Sequence, residues 1–246
     1  MSRRDITLAA LALAATSAAL YGLHYAIFRN AHHIFIYLLG DLAFLPLQVL
    51  FVTVIVDRLL SSREQRSRQY KMQMVIGAFF SAVGQPLLKL MGGLVANCAE
   101  VSAGLCVGPQ WTEKDLREAV SFLARTELRV DPEPNSLAAV RDLLASHRDF
   151  LLGLLENPTL LEHETFTDLL WAIFHLEEEL LARQSLEGLP EPDLKHLATD
   201  AKRAFSALLS QWLQYMIHLH RDYPYLFSFA ARMNPLRPDA RAEVVA

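Results

Sequence analysis

Asp41 lies seven residues into an otherwise apolar run, Ile34 to Val56, or about 10 Å along a helix. If that run crosses a bilayer, an ionised carboxylate at this depth is costly against lipid and must face protein or water. A rotation of 100° per residue sets Tyr37, Asp41 and Gln48 on one side of the helix and turns Thr53 and Asp57 elsewhere. Such a stripe has two readings, a route for protons or cations and an interhelical clamp that fixes helix rotation and subunit packing. The clamp is preferred; its hydrogen bonds, worth about 0.6–2 kcal/mol, would select a geometry more than drive assembly. Tyr21 and His24, at comparable depth in the preceding apolar run, are the expected partners of Asp41. His32 and His33 stand at the outer boundary, where a pH sensor is conceivable because histidine titrates near neutral pH. Neighbours on a helix diverge by about 100°, so the two are a poor chelate and are read as interfacial residues finishing a turn.

The C-terminal half carries carboxylates and imidazoles that raise the question of a di-iron or hemerythrin-like site, which needs several ligands turned inward together. The angular test goes against it. His175 and Glu178 lie opposite the face set by Phe166, Leu170, Ile173 and Leu181, and His218 and His220 diverge by about 160°. His196 and Asp200 are four apart but are expected on the solvent side, so neither metal nor cofactor is expected. Two polar residues do point inward. His147 stands between Leu144 and Leu151, and Glu177 sits in the middle of the apolar face of its helix. A buried His–Glu pair would offset part of each group's desolvation cost; the preferred reading puts each at a subunit contact or snorkelling to water. Cys98 and Cys106 read as packing thiols. There is no nucleophile elbow, P-loop, HExxH or paired-cysteine metal motif, so no enzyme is expected.

The elements that must position these groups begin with lipid. In 246 residues, 52% are apolar and only 20% charged, with ten glycines, eleven prolines and two cysteines. That balance excludes collagen-like, low-complexity and disulfide-scaffold chains and is too apolar for an ordinary soluble domain. Ile6 to Phe28 has no Asp, Glu, Lys or Arg, and about twenty such residues span a hydrocarbon core of roughly 30 Å. A removable export signal is the rival, since Ser2-Arg3-Arg4-Asp5-Ile6 resembles a twin-arginine start. The apolar run outlasts a signal's core and reaches Tyr21, Tyr25 and Phe28, which favours a retained span.

The second span ends in a basic belt, Arg58, Arg63, Arg66, Arg68 and Lys71. Arg3 and Arg4 precede the first span and only Arg29 lies in the turn between the two, so the positive-inside rule sets both termini in the cytoplasm. Leu47 to Ile76 holds no helix breaker, which predicts one helix running through the belt as a stalk. Met74 to Ala96 is long enough to span but is interrupted by Gln85-Pro86 and Lys89, and is expected to be an amphipathic or core helix near the inner surface, with a small-residue seam at Gly77, Ser81 and Gly84.

Charge divides the chain. Through Gln110 there are nine Lys/Arg against five Asp/Glu, and beyond it fourteen against twenty-two. The acidic part reads as helices only: Thr112 to about Leu128, Ser136 to Asn157, Glu162 to Gln184 and Asp193 to Asp222, then a short aromatic segment from Tyr225 to Phe229. An acidic half without a basic aromatic stripe excludes nucleic-acid binding. The expected fold is an all-α membrane protein: a two-helix transmembrane hairpin and basic stalk (1–71), a membrane-proximal helix and linker (72–110), an acidic cytosolic helical bundle (111–234) and a disordered tail (235–246).

The expected home is a bacterial-type inner membrane, with the lipid bilayer, further copies of the chain and a cytosolic protein as partners. Ala10, Ala14, Ala18 and Gly22 form a ridge suited to tight helix pairing within the hairpin or between subunits. Two functions compete: an oligomeric anchor whose bundle binds a partner or relays an assembly signal, and an oligomeric ion channel or proton pathway lined by the second helix. A lone two-helix hairpin cannot enclose a pore, so the channel requires several subunits.

Overall fold

The computed structural model describes residues 3–161, 163–237 and 239–244, apart from the side chains of Arg3, Asp57, residues 59–64, Arg66, Ser67, Arg68, Thr159 and Leu161. The chain is all-helical, 80% helix with no strand among the described residues. It divides into two compact units, Met1–Arg66 and Ser67–Ala246.

The first unit holds α1 (Arg3–Phe28) and the opening of α2 (Ala31–Phe79). Arg29 takes a left-handed conformation, φ 49°, and its N–H donates to the Tyr25 carbonyl at 2.9 Å, ending α1 without the usual glycine. Asn30 then starts α2, its Oδ1 accepting from the His33 N–H at 3.2 Å. The hydroxyls of Thr7 and Thr16 donate to the carbonyls of Arg4 and Ala12, so neither is left unpaired on an apolar helix. Pro46 lies inside α2, and the helix continues past it.

The second unit opens with the end of α2, a π-helical turn (Phe80–Gly84) and α3 (Gln85–Gly92). Pro86 has no N–H to continue an α-helical ladder, and the wider turn just before it absorbs that loss. Gly84 is required there, because a Cβ would stand 2.5 Å from Cδ1 of Phe80 and 3.0 Å from Cε1 of Phe79. The stretch Gln69–Gly92 is apolar enough to cross a membrane, yet 44% of its most apolar window is buried inside this unit, where Ile76, Phe79, Phe80, Val83, Leu87, Leu88 and Met91 join the core.

The remaining helices are α4 (Cys98–Leu105), α5 (Glu113–Arg125), α6 (Pro134–Ser146), α7 (Arg148–Leu155), α8 (Pro158–Leu161), α9 (Glu164–Ala182), α10 (Glu191–Asp222) and α11 (Pro224–Arg232). Thr112 caps α5 through a reciprocal box with Asp115. α10 is the central rod, packing against α9, α5, α11 and α3 and burying Leu197, Phe205, Leu208, Trp212 and Met216. Aromatic edges lock the core: Phe79 meets Phe166 at 5.3 Å edge-on, and Phe80 stacks on Tyr215 at 5.0 Å. An isolated bridge between Val95 and Val130, with Asn97 tied to the backbone at Glu127 and Arg129, fastens the α3–α4 link to the α5–α6 link. Leu236, in the stretch expected to be a disordered tail, is buried in the same core.

One expected helix is two. The Ser136–Asn157 segment breaks at His147, where the Ser146 hydroxyl donates to the Leu143 carbonyl at 2.7 Å and His147 Nδ1 sits 3.0 Å from the same oxygen. Side chains competing for a carbonyl that the helix would use favour such a break.

Candidate functional site

In the first unit Tyr21, His24, His33 and Tyr37 line one cleft of about 500 Å³ with Ser17, Leu20 and Ile34. His24 stacks on His33 at 5.8 Å, and His33 meets Tyr37 at 4.6 Å. The His24 Nε2 is shielded and makes no hydrogen bond among the described residues. This departs from the expected pairing of Tyr21 and His24 with Asp41: His24 stacks on His33, and Tyr21 shares a cleft with Tyr37. With His24 opposite His33 and Tyr21 sharing a cleft with Tyr37, the antiparallel register sets Asp41 about level with Ser17, a turn deeper than Tyr21. Asp41 and Gln48 are exposed, as is His32. Arg58 and Lys71 are exposed too, while the side chains of Arg63, Arg66 and Arg68 lie outside the described residues.

In the second unit Glu177 has no exposed surface. Its partner is Arg148, whose Nη1 stands 3.0 Å from Oε1, and not His147. His147 is half-buried and spends its Nδ1 on the end of α6, so the alternative of an inward His–Glu pair gives way to an Arg–Glu pair one residue further on, and Glu177, with no exposed surface, does not snorkel to water as the preferred reading allowed. The geometry is that of an ion pair without an aligned hydrogen bond, since neither Glu177 oxygen accepts one among the described residues. Arg148 also lies over the Phe174 ring at 5.9 Å and reaches Glu178 at 3.9 Å.

A longer polar ladder runs along the α9–α10 hairpin. Arg183 clamps Asp193 with two bonds of 2.9 and 2.6 Å and holds Glu179 at 2.9 Å. The guanidinium draws both carboxyls below the usual carboxylate range, and they raise Arg183 in turn. Glu179 Oε2 is 3.4 Å from His196 Nε2. His196 Nε2 and His175 Nε2 each stand 3.3 Å from Oδ2 of Asp200, whose other oxygen accepts from Arg203 at 3.2 Å. Four-residue steps along α9, from His175 to Glu179 to Arg183, meet steps of four and three residues back along α10, from Asp200 to His196 to Asp193.

Asp200 is only 3% exposed, which corrects its expected solvent-side position. α10 is covered on several sides at once, so the arc opposite its strongest apolar face still lies under α9. The His196–Asp200 spacing of four and the antiparallel return of α9 were the signals that sequence reasoning had available for this cluster. His175, His196 and Asp200 each offer one ligand atom, and these atoms lie within 4.8 Å of one another.

A unit of two long apolar helices followed by a compact helical bundle with charge buried in it defines the class of this protein. Residues 68–232 match a family described as "Uncharacterized protein MJ1433, C-terminal helical domain", and residues 2–60 match "MJ1433, N-terminal helical domain". The chain belongs to the MJ1433 family. It is 39% identical over 233 residues to "Uncharacterized protein MJ1433" of Methanocaldococcus jannaschii, covering 95% of this chain and 94% of that relative. The gap between the two matched stretches contains the Arg66–Ser67 division of the structure. No solved structure matches the chain.

Proposed function

We propose that the protein is a two-span membrane anchor, with α1 and the part of α2 up to Val56 crossing the plasma membrane and the helical bundle held on its cytoplasmic side to bind a protein partner or relay an assembly signal. One observation carries the reading. The helical stretches Arg4–Phe28 and Ala31–Val56, of mean hydropathy 1.8 and 2.1, have none of their most apolar windows buried by the rest of the chain. Two such rods in water would far exceed the apolar patches that soluble proteins expose, and each exceeds the roughly 20 residues a bilayer core requires.

The orientation rests on the distribution of cations, with Arg29 alone between the spans against Arg3 and Arg4 before them and the belt after. A reducing cytosol suits two free cysteines. Self-association is supported by the ridge of Ala10, Ala14, Ala18 and Gly22, because a Cβ on Gly22 would meet nothing within 4 Å among the described residues. Trp171, Tyr225 and Phe229, large and exposed on the bundle, are residue types that anchor protein partners.

A second reading, an oligomeric ion channel or proton pathway lined by α2, is favoured by one feature. Asp41 and Gln48 are exposed within the hairpin, free to face an axis between copies, and Tyr37, though it lines the hairpin's own cleft, is exposed as well. Protease added to sealed right-side-out cells separates the anchor's topology from its inverse: residues 67–246 should survive, and digestion of the bundle would overturn the scheme. Reconstituted protein carrying an ion flux that Asp41→Asn alters would favour the channel; absence of flux would remove it.

A further inference from the structure

We infer that His175, His196 and Asp200 form a binding site for one divalent transition-metal ion on the α9–α10 hairpin. Two imidazole nitrogens and a carboxylate oxygen are a donor set for zinc, ferrous iron and their neighbours in the first transition row. Ligand atoms about 2.0–2.1 Å from a tetrahedral ion lie about 3.3–3.4 Å from one another. Two of the three edges match, both imidazole Nε2 atoms being 3.3 Å from Asp200 Oδ2, and the three ligand atoms all lie within 4.8 Å of one another, close enough for a small movement of the exposed imidazoles to complete the set.

The hydrogen-bonding pattern gives a second, independent reason. A pair of imidazolium ions held only by charge would aim their N–H groups at the carboxylate, yet Oδ2 accepts no hydrogen bond from either ring although its side chain is 3% exposed. The oxygen is aimed into the cluster, in contact with both rings, and has no hydrogen-bond partner among the described residues. Its sister Oδ1 is held by Arg203, an outer contact of the kind that orients ligating carboxylates. His196 and Asp200 are one helical turn apart on α10 and so present their ligand atoms on one side of it, while His175 completes the set from α9.

Both imidazoles keep nearly half of their side-chain surface, 45% and 49%, so the open coordination position faces solvent and can take water or an anionic ligand. Glu179 Oε2 is 3.4 Å from His196 Nε2 but is already committed to Arg183. The site lies wholly within the second unit and stands independently of the membrane reading.

The test uses the full chain, purified without a histidine tag, stripped with chelator and titrated with Zn(II) by calorimetry, with Co(II) absorption as a report on coordination. Wild-type protein is expected to bind one ion per chain and to give a Co(II) ligand-field spectrum. Asp200→Asn and His175→Gln should each weaken Zn(II) at least about tenfold and abolish that spectrum, with circular dichroism confirming retained helix. His175→Gln guards against a folding defect at the buried aspartate. The double variant His32→Gln/His33→Gln should bind as wild type does. Absence of stoichiometric Zn(II) binding, unchanged affinity in folded His175→Gln, or loss of binding in the His32/His33 variant would each overturn the assignment.

Discussion

Arg148 sets its Nη1 3.0 Å from Oε1 of Glu177, bringing a half-exposed cation from the start of α7 onto a carboxylate that α9 hides completely. Removing one partner of such a pair strands a buried charge. Arg148→Met should cost about 3 kcal/mol, the low end for breaking a buried pair because the guanidinium keeps some contact with water. The double variant Arg148→Met/Glu177→Leu should recover most of it, since an apolar pair of similar volume can replace a buried ion pair. Trp111, Trp171 and Trp212 all lie in the second unit, so urea unfolding followed by tryptophan fluorescence reads this directly. A double variant as unstable as the single one would show that the pair fixes packing as well as charge.

Gly84 and Gly153 should respond to alanine with opposite signs. At Gly84 the new methyl must displace Phe79 and Phe80, two rings locked by Phe166 and Tyr215, and overpacking of this kind costs about 1–3 kcal/mol. At Gly153, in α7, a Cβ meets nothing within 4 Å, and the gain in helix propensity should stabilise by about 0.4–1 kcal/mol. Denaturant midpoints of the two variants against wild type check the pair.

His218 supplies a pH dependence. Burial pushes its imidazole below the ordinary histidine value of 6.5; Asp222 opposes that shift at 2.8 Å and Arg221 adds to it. Below 6.5 the unfolded chain therefore binds a proton that the folded chain resists, so stability should fall as pH drops from 6.5 towards the folded value. Tyr223 lies edge-on to the ring at 5.6 Å. His218→Gln should flatten this part of the stability profile; a wild-type profile level below pH 6.5 would contradict the assignment.

The ridge on α1 can be tested through size. Gly22→Leu places a large side chain in open space, leaving the chain's own fold undisturbed, while blocking the close approach of a second helix. The expected result is a shift to smaller particles by native mass spectrometry in detergent, with the helical content of the monomer retained. Unchanged assembly would move the subunit contact to another face.

Periodicity and breakers made much of this molecule legible before any coordinates. Two unbroken apolar runs with a short polar turn between them become α1 and the first half of α2, and the helices expected to open at Thr112 and about Asp193 are α5 and α10. Such features are local, because a hydrogen-bonded helix depends on neighbours within a turn or so. Partner choice is not local. The inward angle of Glu177 could be read from its own helix, but its cation is delivered by Arg148 because α6 stops at His147. A helical wheel likewise set Asp200 towards water, because it measures angle from a single apolar face. α10 is enclosed by several helices, and the register of its hairpin with α9 is what draws His175, His196 and Asp200 to one point. The depth at which Tyr21 and His24 meet α2 follows from the same cause: the turn between antiparallel rods sets which residues lie level, and that emerges only when the rods are packed.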